Sequence, residues 1–300
     1  MKKNKLLVCI LGPTAVGKTA TAITLAQELH TEIISADSRQ FYKEISIGTA
    51  KPSAEELAAV PHHFIGHLSI SETYSAGDFE RDALAKLDEL FAVHDHVIAV
   101  GGSGLYVKAL IDGLDELPQA DETLRAELHA LFHEQGIIPL QQRLMETDPD
   151  TYRTTELQNP QRVMRAIEIA VARQNGFVAS TAKKERNFDI LKIVLDLPRE
   201  TLYERINNRV DLMMQQGLLE EVTAVVKWKD AYALQTVGYK EIFEYLDGLN
   251  PLGTAVDLIR QHTRNFAKRQ LTWFRKEAPD HWFEPHQVER ILQLIRKHEH

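Results

Sequence analysis

The stretch KLLVCILGPTAVGKT, residues 5–19, decides the fold. It opens with a short apolar run closed by Gly12-Pro13, the pattern of a strand buried on both faces. From Lys18 to about His30, Ala22, Leu25, Ala26 and Leu29 recur at helical spacing. Between strand and helix, Gly12, Pro13, Thr14, Ala15, Val16, Gly17, Lys18 and Thr19 fit G-x-x-x-x-G-K-[ST], the P-loop pattern. The glycines let the backbone curl so that successive N–H groups face a phosphate chain. The helix N-terminus and Lys18 add positive potential, and the Thr19 hydroxyl is of the kind that ligates Mg²⁺. The motif suits a di- or triphosphate without choosing between them.

Working outward, TEIISAD (31–37) reads as a second strand, followed by a long loop to Pro52. Residues 77–93 form an acidic amphipathic helix. HVIAV (96–100) is a third strand, ending in Gly101-Gly102-Ser103-Gly104, and LYVKALIDG continues as a helix with a glycine stop. Strands alternating with helices predict a parallel sheet covered by helices, a P-loop-type α/β core. Residues 113–187 break the rhythm, with helices expected at 121–135, 137–146 and 159–174. LKIVLDL (191–197) resumes the strand pattern. The rest is helical apart from a short strand at 281–284. The expected organisation is a core begun in 1–112, a helical insertion at 113–187, and core completion with a basic helical C-terminal region in 188–300.

At roughly 150 residues per domain, 300 residues make one large domain or two small ones. A hydrophobic fraction of 44% and a charged fraction of 26% exclude a disordered chain. No apolar run nears the ~18 residues of a membrane span. The run from Leu6 to Leu11 is too short for a secretory signal, so a cytoplasmic protein without membrane contact is expected. One cysteine, Cys9, excludes a disulfide framework and a cysteine-rich zinc site, and inside an apolar strand it reads as a small buried residue. The net charge of −8 hides an uneven distribution. Residues 261–276 carry five bases and no acid, a local field that a polyanion would feel.

Asp37 ends the second strand, at the sheet edge where ligands bind in open α/β folds. A carboxylate there takes a proton from a nucleophile, holds Mg²⁺ through water, or caps a turn. The third strand ends in glycine where a phosphate-hydrolysing P-loop enzyme carries an aspartate, which argues against an ordinary ATPase or GTPase. Arg205 and Arg209, four apart on one helix face, suit either a phosphate clamp or a solvated surface. His62, His63 and His67 lack the partners of a metal site and read as packing or surface residues. In HTRNFAKRQLTWFR (262–275) bases alternate with aromatics, which fits RNA binding or an amphipathic helix with a core-facing aromatic side.

The order GPTAVGKT, DSRQ (37–40), IGTAKP (47–52), PHHF (61–64), GGSGLY (101–106), NPQRVMRAIEI (159–169), VGYKE (237–241) and TR-x3-AKRQLTWFR (263–275) resembles the bacterial tRNA dimethylallyltransferases, also called tRNA isopentenyltransferases. The likeness runs from about Lys5 to Phe283. The family usually has GGTGLY, and Ser103 here keeps the hydroxyl. Eukaryotic members carry a zinc-finger extension that a chain with one cysteine cannot build. The resemblance implies transfer of a dimethylallyl group from dimethylallyl diphosphate to the exocyclic amine of the adenosine 3′ of the anticodon. It implies Gly12 to Thr19 on the diphosphate, with Mg²⁺ on Thr19. Asp37 is the expected base, Ser103 a hydrogen-bonding partner, and Arg209, ahead of Arg205, a clamp on the leaving group. Asp37, Ser38, Arg39, Gln40, Ser103 and Gly238 are expected beside the adenine. Arg125, Gln161, Arg162, Arg165, Lys268, Arg269, Gln270, Trp273 and Arg275 are expected on the tRNA anticodon stem-loop, and the protein is expected to be a monomer.

Two other activities share these motifs. An adenylate isopentenyltransferase performs the same chemistry on free AMP or ADP, but lacks the helical insertion and the basic C-terminal module. A P-loop nucleoside or small-molecule kinase would use Asp37 on a hydroxyl and would require ATP.

Overall fold

The computed structural model describes residues 5–115, 118, 121–178, 184–278 and 280–298. Six strands, β1 (Leu6–Leu11), β2 (Ile33–Ser35), β3 (His62–His63), β4 (His96–Gly101), β5 (Asp189–Leu195) and β6 (Trp282–Phe283), pair in the order β3-β2-β4-β1-β5-β6. Every pairing is parallel. β1 lies at the centre between β4 and β5, which is why all six of its residues are buried and apolar. Helices α1 (Lys18–Glu28), α3 (Ala76–Phe91) and α4 (Gly104–Asp112) provide the crossovers that parallel strands need.

Three elements of the sheet-bearing part depart from the sequence reading. α2 (Ala54–Ala59) begins on a capping box in which Ser53 and Glu56 exchange hydrogen bonds, yet it buries no residue. With no apolar face, it leaves no periodic trace. β3 is two residues long and is made by the histidines of PHHF, below the length at which alternation is visible. β2 spans three residues of the expected seven, because only Ile33 to Ser35 find ladder partners on β4.

The chain divides into two compact units, Met1–Gly113 with Glu185–His300, and Leu114–Lys184. The second unit holds α5 (Glu122–Gln135), α6 (Ile138–Thr147), α7 (Pro149–Thr154) and α8 (Pro160–Gln174). Its own core joins Leu124 and Leu128 to Leu140, Leu144, Val163 and Ile167. Asp121, Asp148 and Asn159 cap three of these helices through their side chains, and Pro149 and Pro160 occupy first-turn positions. The single-turn helix α7 lies between two helices read from the sequence and was not expected.

In the first unit α9 (Arg199–Gln215), α10 (Leu218–Ala224), α11 (Tyr239–Leu246), α12 (Leu252–Glu277) and α13 (Val288–Lys297) complete the chain. Ile291, Leu292 and Ile295 of α13 join the core that β1 and α1 share. None of the described helices is long and apolar enough to cross a membrane.

Candidate active site

The loop after β1 curls through Gly12 (φ +145°), Ala15 (φ +64°) and Gly17 (φ +113°). Gly17 starts α1 with no side chain capping it and no acid in the first turn. The helix start therefore presents free amides and positive potential. The Lys18 ammonium folds back to donate to the Pro13 carbonyl at 2.8 Å. Burial pulls its pKa down to about 8, with Arg209 adding to the shift and Asp37 opposing it. Lys18, Asp37 and Arg209 thus share one electrostatic neighbourhood at the carboxyl edge of the sheet.

α9 brings two arginines to this edge. Arg205 donates to the Val16 carbonyl at 3.2 Å. Arg209 is half-buried and makes no hydrogen bond or ion pair with a described residue. Desolvation first, then the neighbouring Arg205, lowers its pKa, while Glu56 and Asp37 oppose the shift. A partly desolvated guanidinium without an anion partner is poised for one.

Asp37 receives the Arg39 backbone amide on Oδ1 at 3.0 Å. That bond fixes the carboxylate and leaves Oδ2 open. The Ser103 hydroxyl accepts from the Ser38 amide at 3.2 Å and lies 3.3 Å from the Ser38 hydroxyl. DSRQ and GGSG are thereby joined side by side. Thr19, at the helix start, has a hydroxyl that bonds no described residue. One hydroxyl and one carboxylate oxygen form a hard donor set that fits Mg²⁺ only if phosphate oxygens and water complete it. Among the described residues no group of three His, Cys, Asp or Glu is positioned to hold a metal. His63 instead pairs with Glu32 at 2.7 Å, and His62 Nδ1 with the Val60 carbonyl at 2.8 Å. Cys9 is buried, and desolvation pushes its thiol up to about 12.

Several residues expected on the substrates have partners within the protein. Gln270, expected on RNA, is buried in α12. Its Oε1 accepts the Thr14 amide at 2.9 Å and its Nε2 donates to the Gly102 carbonyl at 2.9 Å. It therefore stitches the P-loop to the GGSG turn, and the Thr14 amide, expected on the diphosphate, is already taken. A Cβ at position 102 would stand 2.5 Å from that Gln270 nitrogen, so a larger residue there would push the Gln270 amide off the Gly102 carbonyl. Gln40 is also turned inward. Its amide nitrogen donates to the Thr49 and Ala50 carbonyls at 3.2 and 3.0 Å, and its oxygen faces the Ser35 hydroxyl at 3.4 Å.

The other expected RNA contacts divide by environment. Arg125 and Arg165 both grip the buried carboxylate of Glu168, with Nε and Nη1 contacts at 2.9 and 2.7 Å. The Arg125 bond holds α5 against α8, while the Arg165 bond is made within α8, and both are structural tasks that compete with RNA contact. Arg162 pairs with Glu156 at the surface, and Gln161 is exposed. Trp273 is half-buried over Gly104 and edge-on to Phe274. Gly238 is buried at the start of α11, donating to Glu241 at 2.7 Å. Lys268, Arg269 and Arg275 are exposed on α12, and none of them is ion-paired with a described residue.

Glu221 escaped the sequence reading. Its carboxylate accepts the amides of Ser46, Ile47 and Gly48 at 2.7, 2.8 and 2.9 Å, and the Tyr239 hydroxyl at 2.5 Å. The loop so anchored carries the carbonyls that hold Gln40. An acid within LLEEV gives no sign of this, because the three amides it accepts lie more than 170 positions away.

A parallel sheet whose central strand feeds a glycine loop and a cationic helix start is a P-loop-type α/β fold, here with an unpaired arginine and a carboxylate beside the loop. The IPP transferase family model matches residues 40–277, and the chain belongs to that family. A tRNA dimethylallyltransferase of Christiangramia forsetii is 51% identical over 280 residues, 93% of each chain. The full-length tRNA isopentenylpyrophosphate transferase of Bacillus halodurans superposes with a TM-score of 0.73 at 38% identity, covering 99% of this chain and 97% of that one. A eukaryotic dimethylallyltransferase solved acting on tRNA gives a TM-score of 0.71 at 25% identity, over 90% of this chain and 70% of its own.

Proposed function

We propose that this protein transfers the dimethylallyl group of dimethylallyl diphosphate to the exocyclic amine of the adenosine 3′ of the anticodon in tRNA. The observation that carries this reading is the meeting of an uncapped P-loop helix, Lys18, the unpaired Arg209 and Asp37 at one sheet edge. In the reaction the C–O bond of the allylic diphosphate breaks, and its electron pair stays on the departing diphosphate. The amine nitrogen bonds to the freed carbon, and its proton passes to Asp37. Lys18, Arg209 and the free loop amides stabilise the charge gathering on the leaving group. Ser38 and Ser103 hold the adenine edge beside Asp37. The adenine must leave the anticodon-loop stack to reach this site. β4 ends in Gly101 without an acid, which suits a leaving group that needs no activated water.

Mg²⁺, held by the Thr19 hydroxyl and the diphosphate oxygens, would supply further charge neutralisation. A cytoplasmic monomer is the simplest form this reaction needs. The relatives' names and the tRNA-bound eukaryotic neighbour support the substrate assignment. The test is incubation of the protein with unmodified tRNA and labelled dimethylallyl diphosphate in the absence of ATP. Label is expected in the RNA. Label in free AMP instead, or transfer only of an ATP γ-phosphate, would replace this reading with one of its two rivals.

The exposed bases of α12 give a second expectation. Arg269, stacked 5.8 Å from the exposed Phe266 ring, faces solvent without an acid partner. If it neutralises an RNA phosphate, Arg269→Gln lowers the slope of log affinity for tRNA against log salt by about 0.7. An unchanged slope assigns Arg269 to a solvated face.

A further inference from the structure

Beside Asp37 the surface holds an aromatic ring with a cation laid on it. Tyr232 sits in the 3₁₀ turn Tyr232–Leu234 and is 53% exposed, while the next two residues, Ala233 and Leu234, are buried. The Arg39 guanidinium lies 4.6 Å from the ring centroid. Arg39 Nη1 also donates to the Tyr232 carbonyl at 2.8 Å, so the cation is pinned to the turn that carries the ring. The turn is closed by Leu234 N to the Ala231 carbonyl at 2.9 Å and by Gln235 Nε2 to the Lys229 carbonyl at 2.7 Å. The turn that carries the ring is thus held, with the guanidinium over the ring. The same Arg39 donates its backbone amide to Asp37 Oδ1. Ring, cation and candidate base form one hydrogen-bonded unit built from segments 193 positions apart.

We infer that the Tyr232 ring, backed by Arg39, is a stacking platform for the nucleobase next to the target adenosine. The inference rests on the transfer reaction proposed above. When an adenine leaves its stack, the neighbouring base loses a partner, and that loss opposes the flip. A rigid aromatic face restores that contact whatever the base, because every base has a π-face. The guanidinium behind the ring adds positive charge where the RNA backbone must turn. Little backbone freedom is lost on binding, since the turn and Arg39 are already held.

The experiment uses the full chain, an anticodon stem-loop, and copies of that stem-loop with 2-aminopurine on one or the other side of the target adenosine. Tyr232→Phe keeps the face and is expected within about twofold of wild type. Tyr232→Leu keeps apolar bulk without the face. It is expected to lower kcat/KM for the RNA by about ten- to hundredfold, carried mainly by KM, with diphosphate affinity unchanged. The 2-aminopurine fluorescence at one flanking position is expected to be quenched by wild type and Tyr232→Phe but not by Tyr232→Leu. The platform is overturned if Leu behaves as wild type, if Phe loses as much as Leu, or if neither flanking probe distinguishes the variants. The fluorescence arm needs only RNA binding. Failure of the wild-type protein to prenylate therefore counts against the transfer reaction, while an absent quench counts against the platform.

Discussion

Asp37→Asn is expected to slow single-turnover prenylation of tRNA by about 10²–10⁴-fold, the range general-base groups contribute. Asparagine preserves the local structure well. Its Oδ1 can still accept the Arg39 amide that Asp37 receives at 3.0 Å, so the turn and the Arg39–Tyr232 stack remain in place. What is lost is a group able to take the proton from the adenine amine as the new C–N bond forms. Binding of tRNA and of dimethylallyl diphosphate should change far less, because Lys18, Arg209 and the loop amides are untouched. Rapid-quench measurement with enzyme in excess isolates the chemical step from product release. A rate equal to wild type removes Asp37 from the chemistry. A collapse of diphosphate affinity that excess Mg²⁺ restores places Asp37 on the metal, with the base elsewhere.

The elements that local pattern can announce were legible. β1, its glycine loop and α1 follow from one apolar run, two glycines and a helical period, and β4 with its glycine turn follows in the same way. Asp37 was legible as a candidate because the fold puts strand ends at one edge. The side chains that assemble the site were not. Gln270 stands in a basic run and looks like one more polar contact for RNA. Its place was hinted at by the period alone, since Ala267 and Phe274, three before and four after, are buried on the same face. Nothing local distinguishes Glu221 from its neighbour Glu220, or pairs Arg125 with Glu168 across 43 positions. Such pairings depend on tertiary approach, and a sequence period carries no information about them. Short pieces such as α2 and β3 were missed for the opposite reason, since they bury too little to impose a pattern.

Lys18 carries the second large effect, and its pH dependence gives it a signature. Burial brings its folded-state pKa to about 8, against 10.5 for an ordinary lysine. In the free protein the folded chain therefore releases this proton before the unfolded chain does. Folded stability rises between about pH 8 and 10.5 as the buried charge disappears. A bound diphosphate reverses the balance by favouring the ammonium. Binding should then take up a proton above pH 8, and affinity should fall by up to tenfold per pH unit from there. Lys18→Ala is expected to weaken diphosphate binding and slow transfer by about 10²–10³-fold, the scale of one preorganised charge on a leaving group. It should also flatten the loss of affinity above pH 8 while leaving tRNA affinity close to wild type. The variant should melt close to wild type at pH 7, because relief of the desolvated charge offsets the loss of its bond to the Pro13 carbonyl and of the attraction of Asp37. Calorimetric titration of diphosphate in buffers of different ionisation enthalpy, from pH 7 to 9.5, measures affinity and proton uptake together. Equal affinity across that range, or a Lys18→Ala protein that keeps the wild-type pH profile, would remove Lys18 from the diphosphate site.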